Sequence, residues 1–418
     1  MGIITDVAVI GAGPYGLSVA AHLRARGRDI RVFGSPMQSW HESMPVGMKL
    51  KSEGFASNIS DPKGALRLGT FCREENIPYA DTNLLVSLDT FVSYGQAFQK
   101  RFVPDLEQKM VELVESATHG FDLHLEGGEV VAARRIVIAT GIGAFAFYPP
   151  ELLSLPKGVL SHSADFGDAG HVTGREVVVI GAGASATDVA ALLRARGAHV
   201  TIVTRRSAIR FQTPLGERSL YDKIRAPMSA LGPGWKSVLC VKGPLLFHAM
   251  PESFRVDVVR RYLGPAPAWY TRELLEGQVS SILQAHVVEA KATDAGARLS
   301  LQHADGSIRE ISADHVVSAT GYRVDTKKLT FLGDRIQAGL RRAAGAPALS
   351  RNFESTVPGL YFVGTSAANS FGPMLRFVTG TEFASRRVAN HIAPALFGRS
   401  FSSSIESRKT LGVEASRQ

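Results

Sequence analysis

The stretch from Asp6 to Phe33, D-V-A-V-I-G-A-G-P-Y-G-L-S-V-A-A-H-L-R-A-R-G-R-D-I-R-V-F, decides how the rest of the chain is read. It opens on an apolar run, Val7 to Ile10, short enough for a parallel strand buried on both faces. It then turns through Gly11, Gly13 and Gly16 into an Ala/Leu-rich helix ending near Gly27, and a second apolar run, Ile30 to Phe33, completes a βαβ unit. The three glycines have separate tasks: a tight turn, close approach of backbone to a pyrophosphate, and close packing of helix on strand. The helix start offers unpaired N–H groups and the positive end of its dipole to phosphate. Set between a strand and a helix, the G-x-G-x-x-G spacing predicts a dinucleotide site.

The same pattern returns from Glu176: E-V-V-V-I-G-A-G-A-S-A-T-D-V-A-A-L-L-R-A-R-G-A-H-V-T-I-V-T-R-R. Gly181 matches Gly11, Gly183 matches Gly13, Gly197 matches Gly27, and Ser185 stands in the turn's second half. Two such units in one chain predict two different dinucleotides held face to face. Their ribose ends differ. After the second unit stand Arg205 and Arg206, where an NAD site carries an acid; guanidinium groups hold a 2′-phosphate, so this unit reads as an NADPH site, the alternative being a solvated basic pair on a turn. The first unit, read as the FAD site, has Gly34 and Ser35 where an acid is expected to meet the adenosine ribose, and leaves Ser35 as a single hydroxyl contact.

Composition narrows the field. The chain has 418 residues, 45% of them apolar and 20% charged, an ordinary globular profile with room for two or three domains. The net charge of +9 is spread without a long Lys/Arg run, which argues against nucleic acid as a partner. No basic n-region precedes the first apolar run, and no uncharged stretch reaches membrane-spanning length. Only Cys72 and Cys240 occur, far apart, which fits a reducing cytoplasm and excludes a C-x-x-C dithiol centre.

Between the two units, residues 34–61 are polar and turn-rich, the length of connection that usually carries function. Helices are predicted over 64–76 and 89–102, a hairpin over 121–125 and 129–132, and a buried strand over 135–139 running into Ala139-Thr140-Gly141. A Pro-rich linker follows at 148–156. Residues 207–278 mix Pro, Gly and aromatics, and read as loops and short helices packed on the second unit, or as a lid or channel wall. Strands are predicted over 287–290, 298–303, 308–311, 315–319 and 360–363, with a last helix over 375–392 and a disordered Ser/Arg-rich tail from 399. The predicted fold class is α/β with two Rossmann-like dinucleotide-binding domains. A discontinuous FAD domain takes residues 1–165 and 315–398, an NADPH domain of residues 166–314 is inserted in it, and 399–418 form the tail.

These motifs together resemble the class B flavin-dependent monooxygenases, the group of dimethylaniline-type monooxygenases, ornithine/lysine N-hydroxylases and Baeyer–Villiger enzymes. The resemblance covers residues 3–395 and rests on G-A-G-P-Y-G at 11–16, G-A-G-A-S-A at 181–186, and A-T-G turns at 139–141 and 319–321. D-H-V-V-S-A-T-G-Y at 314–322 is similar to the N-hydroxylase D-x-x-x-[L/F]-A-T-G-Y motif, and Trp40-His41 with Met48 to its flavin-covering segment. Gly158, His162 and Phe166 match the core of the family fingerprint, with Phe166 as the closing aromatic.

The resemblance implies FAD and NADPH as cofactors, O2 and a small-molecule nucleophile as reactants, and oxygen transfer through a flavin C4a-hydroperoxide, the flavin carrying the hard step. An amine nitrogen is the favoured target. Ser57-Asn58-Ile59-Ser60 resembles an Asn-containing turn of the dimethylaniline-type enzymes, so Asn58 is the candidate hydrogen-bond donor beside the flavin; its other reading is a turn-stabilising Asn before Asp61-Pro62. Trp40 and His41 are expected near the isoalloxazine. Thr140, Gly141, Thr320 and Gly321 are expected where backbone approaches a cofactor, and Gly364 and Phe371 at the flavin end of the closing loop. His162 reads as a cofactor contact, an interdomain hinge or a backbone-bonded histidine, and Arg376 as a flavin or substrate contact or a surface charge. Two other functions fit the same units: an NAD(P)H-dependent flavoprotein reductase passing electrons to a partner protein, and a non-catalytic nucleotide sensor.

Overall fold

A computed structural model describes residues 4–394 except 167–171, 215, 217, 263 and 265. The predicted tail at 399–418 lies outside the described residues. The chain begins with β1 (Val7–Ile10), α1 (Pro14–Arg24) and β2 (Ile30–Phe33), then reaches α2 (Leu88–Phe102) and β3 (Ile136–Ile138). It crosses to β4 (Leu160–His162), β5 (Glu176–Ile180), α3 (Ala184–Ala195) and β6 (His199–Val203). Five short helices follow, α4 (Leu220–Arg225), α5 (Trp235–Lys242), α6 (Pro244–Ala249), α7 (Glu252–Arg261) and one over Tyr270–Leu275. After β7 (Ser280–Ile282), an antiparallel three-stranded sheet and β8 (His315–Ser318), the chain returns through β9 (Leu360–Phe362) to α8 (Gly380–Ile392).

Two parallel sheets organise this path. The first has the order β9-β3-β1-β2, with Ala8 opposite both Arg31 and Ile136. The second has the order β7-β6-β5-β8-β4, with Val177 opposite Val200 and His315. Every residue of β1, β3 and β9 is buried, as continuous apolar runs require when helices or loops cover both faces of a sheet. β4 pairs with β8 and β8 with β5, so the chain enters the second sheet at β4 and leaves it after β8.

Three local readings are corrected. The helix predicted over 64–76 is confined to Leu68–Glu74, because Asp61 accepts the N–H groups of Lys63, Ala65 and Leu66 and Asn58 Oδ1 accepts that of Leu68. The last helix starts at Gly380, not Leu375. Tyr15 Oη donates to the carbonyls of Leu375 and Phe377, which holds Pro373–Arg376 as a separate 3₁₀ turn. The 207–278 segment does form short helices, and it divides between the units: Ile209, Phe211 and Leu275 pack on the second unit's core, whereas Arg255 donates to the carbonyls of Asn369 and Ser370, Phe247 lies against Gly372, and Val259 joins the core around β1.

Candidate functional site

The two units meet around one cavity of about 1150 Å³. Its walls include the start of α1 (Gly11 to Tyr15), the start of α3 (Ala184, Ser185), the turn after β3 (Thr140 to Ile142), and the loop after β9 (Gly364, Thr365). Met228 to Pro233, between α4 and α5, and Trp269 close another side.

The glycines are divided as their spacing demands. Gly11 has φ +110°, and a Cβ there would lie 2.4 Å from the Ala139 carbonyl oxygen. Gly181 has φ +141° and the same relation, at 2.4 Å, to the Ala319 carbonyl. Each A-T-G turn is therefore the seat for the first glycine of its own unit. Gly16 would drive a Cβ to within 1.8 Å of the Gly11 carbonyl, so its task is packing. Gly13 differs: a Cβ there meets nothing within 4 Å, because it faces the cavity.

Neither α1 nor α3 has a capping side chain or an acid in its first turn; Gly13 and Gly183 stand at their N-caps. Their leading N–H groups are thus left for a ligand's negative charge.

Of the residues singled out from sequence, Gly11, Gly13, Ser35, Trp40, Thr140, Gly141, Ser185 and Gly364 line this cavity. Trp40 also meets Phe91 of α2 edge-on, at 4.6 Å between ring centroids. Others lie outside its walls. His41 is exposed at the end of a short helical turn. Asn58 spends its amide on the backbone, Nδ2 donating to Phe55 at 2.8 Å and Oδ1 accepting from Leu68 at 2.8 Å. Arg205 and Arg206 are exposed just past β6. Thr320 donates to the Phe147 carbonyl, and Gly321 accepts from His162. Phe371 is stacked between Phe353 and His248.

His162 is fully buried. Its Nδ1 accepts from the Ala164 N–H, which leaves Nε2 to donate to the Gly321 carbonyl at 3.0 Å. That tautomer is the neutral ring, and burial lowers its pKa. The ring ties the end of β4 to the second A-T-G turn.

Sequence reading missed the charged group in the cavity wall. Lys51 Nζ lies 2.6 Å from Asp188 Oδ2 and 3.2 Å from the Tyr270 hydroxyl, joining the segment after β2 to α3. Asp188 Oδ1 is buried with no hydrogen-bond partner. Burial raises the Asp188 pKa more than Lys51 lowers it. The signal was an acid inside the otherwise apolar helix A-S-A-T-D-V-A-A-L-L, four residues after Ala184 and three after Ser185, both at the cavity. Arg376 also lines the cavity. The Val259 carbonyl is its protein partner, and burial lowers its pKa.

Comparison with known proteins agrees with this architecture. The family model of pyridine nucleotide-disulphide oxidoreductases matches residues 5–222, more than half of the chain, and the chain belongs to that family. It is 28% identical over 215 residues to indole-3-pyruvate monooxygenase YUCCA1 of Oryza sativa subsp. japonica, a match covering 48% of each chain. The chain thus spans about half the length of the first curated relatives it matches. It is 24% identical over 375 residues to a ferredoxin–NADP reductase of Gluconacetobacter diazotrophicus, covering 87% of this chain and 84% of the reductase. Its fold is that of the ornithine hydroxylase PvdA from Pseudomonas aeruginosa: TM-score 0.73 at 15% identity, over 94% of this chain and 99% of that one. The class B monooxygenase fold, with two dinucleotide-binding units on parallel sheets, is therefore the fold of this chain.

Proposed function

We propose that this chain is an NADPH- and O2-dependent flavin monooxygenase acting on a small-molecule nucleophile, with an amine nitrogen as the favoured target. One observation carries the reading: two uncapped helix starts, one from each nucleotide unit, open into the same cavity. Two pyrophosphates held there would direct their redox rings into one shared space. The residues present fit the groups. Gly13 leaves room for phosphate, the α1 start supplies N–H donors, and Ser35 with Gln38 lines the wall beside the first unit's ribose position. On the second unit, the α3 start would face the other pyrophosphate, and Arg205 and Arg206 would meet a 2′-phosphate.

When bound, FAD supplies the hydride acceptor and the oxygen chemistry. The chain's own contribution is positioning and exclusion of water. Trp40, Met44, Met48 and Leu231 give the cavity an apolar wall, and Lys51 with Asp188 fixes one unit against the other within it. The test follows NADPH oxidation with a panel of primary amines while measuring oxygenated product by mass. A hydroxylated amine formed in step with NADPH supports the proposal. NADPH oxidation that yields only hydrogen peroxide with every substrate overturns it.

The match to ferredoxin–NADP reductase across most of both chains favours a second reading, electron transfer to a partner protein. That reading predicts rapid reduction of an added ferredoxin and no oxygenated product. The cofactor assignment has its own check. Arg205→Ala is expected to weaken NADPH by about tenfold to a hundredfold, the value of a charge-assisted hydrogen bond, with NADH unchanged. Equal weakening of both coenzymes in titrations would show that the 2′-phosphate is read elsewhere.

A further inference from the structure

We propose that the outward face of α4, α5 and α6 is a docking surface for an anionic phospholipid membrane, which the chain meets from one side without crossing it. The three helices follow one another between residues 220 and 249, and many of their large apolar side chains face solvent. Leu220 is 79% exposed, Ile224 73% and Trp235 63%, and Tyr221, Leu239 and Leu246 are also exposed. Inward, α4 buries no residue, α5 buries only Ser237 and α6 only Pro244. Helices this short are marginal in water and normally owe their stability to an apolar face packed inward. Here Val241, Leu245 and Phe247 pack inward against the core, and a second set of large apolar side chains is left to solvent. Large apolar side chains exposed in such number on three successive helices mark an interaction site.

The spacing and the charges select the occupant. In α5, Trp235, Leu239 and Lys242 follow at i, i+4 and i+7 and share one face, with Lys236 beside Trp235. In α4, Leu220 and Ile224 share a face, and Lys223 and Arg225 flank the second of them. All four of these basic side chains are exposed. Residues 207–250 hold six Lys/Arg against two Asp/Glu, a large share of the chain's net +9. Apolar side chains with an aromatic anchor, set among lysines and arginines, are the composition of helices that lie in an anionic bilayer interface. A second copy of this face would set Lys223, Arg225, Lys236 and Lys242 against their own counterparts. No described helix is long and apolar enough to cross a membrane, so the contact is one-sided. Met228 to Pro233, which join α4 to α5, line the cavity, so docking would bring the cavity's mouth to the bilayer.

Sedimentation of the full chain with lipid vesicles tests this. The chain is expected to co-sediment with phosphatidylcholine vesicles containing about a third phosphatidylglycerol, much less with pure phosphatidylcholine, and less again as salt rises. Binding is expected to blue-shift the tryptophan emission, and Trp235→Phe to remove that shift. Leu239→Glu and Ile224→Glu, at exposed positions that leave the core untouched, are expected to abolish sedimentation with circular dichroism unchanged. Lys236→Ala is expected to weaken partitioning about fivefold. Failure to bind anionic vesicles at low salt overturns the proposal. So does a wild-type dimer in solution that Leu239→Glu dissociates, since the face would then belong to a second copy.

Discussion

The Gly13→Leu variant is expected to purify as folded, colourless protein whose affinity for added FAD is reduced by about a hundredfold or more. Gly13 has φ −82° and ψ −175°, extended backbone that any residue adopts, and no atom lies within 4 Å of a Cβ placed on it. A leucine is therefore accepted by the fold and projects into the space where a pyrophosphate would rest. It would also cover the uncapped N–H groups of the first turn of α1, and two lost charge-assisted hydrogen bonds alone are worth about 3 kcal/mol or more. The neighbouring glycines make the control. Gly11→Ala would set a Cβ at 2.4 Å from a carbonyl oxygen on backbone with φ +110°, and Gly16→Ala at 1.8 Å. Both are expected to cost about 3 kcal/mol or more of stability, Gly16→Ala through overpacking and Gly11→Ala through overpacking and backbone strain. Absorbance at the flavin band after incubation with FAD, read beside the thermal midpoint, separates the outcomes. A Gly13→Leu protein that takes up FAD as wild type does would show that the first unit holds no dinucleotide at this turn.

The contrast among these glycines also shows what the sequence could reveal. Both βαβ units were legible because a buried parallel strand, a glycine turn and an Ala/Leu-rich helix leave a local pattern. The A-T-G turns were legible as a repeated motif, but their use was not. That Ala139 and Ala319 receive Gly11 and Gly181 is a contact between distant segments. Helix ends were misjudged where side chains from elsewhere took the backbone groups: Tyr15 takes the carbonyls of Leu375 and Phe377, Asp61 the N–H groups of Lys63, Ala65 and Leu66, and Asn58 that of Leu68. Residues 207–278 carried no periodicity to say which unit they join, and tertiary contacts alone divide them, Arg255 and Val259 going to the first and Phe211 and Leu275 to the second. The Lys51–Asp188 pair was invisible for the same reason, since 137 residues separate its members.

That pair sets up the other large effect. Lys51→Met is expected to destabilise the protein by about 3–5 kcal/mol at pH 8, because it leaves a buried carboxylate without its cation. The loss should shrink as the pH falls toward 4. Asp188 has a raised pKa in the folded chain, since burial outweighs the attraction of Lys51. Between the ordinary carboxylate value and that raised value, the folded state binds more protons than the unfolded one, so stability falls as pH rises through this window. Removing Lys51 removes the attraction and extends the window upward, so wild type and variant diverge with increasing pH. Below both pKa values the carboxyl is neutral in each state and the penalty is absent. Urea midpoints at several pH values check this, and a loss of equal size at pH 4 and pH 8 would refute it. Asp188→Asn combined with Lys51→Met is expected to recover much of the stability, since the stranded charge is gone. It should not recover the geometry. Lys51 reaches α3 from the segment after β2, so the pair fixes the register between the two units, and a misplacement of about 1 Å between reacting rings can cost about a hundredfold in rate. Flavin bleaching by NADPH in the loaded double variant is therefore expected to stay slow while its urea midpoint returns. A double variant that regains both would reduce the pair to a structural ion pair with no part in aligning the coenzymes.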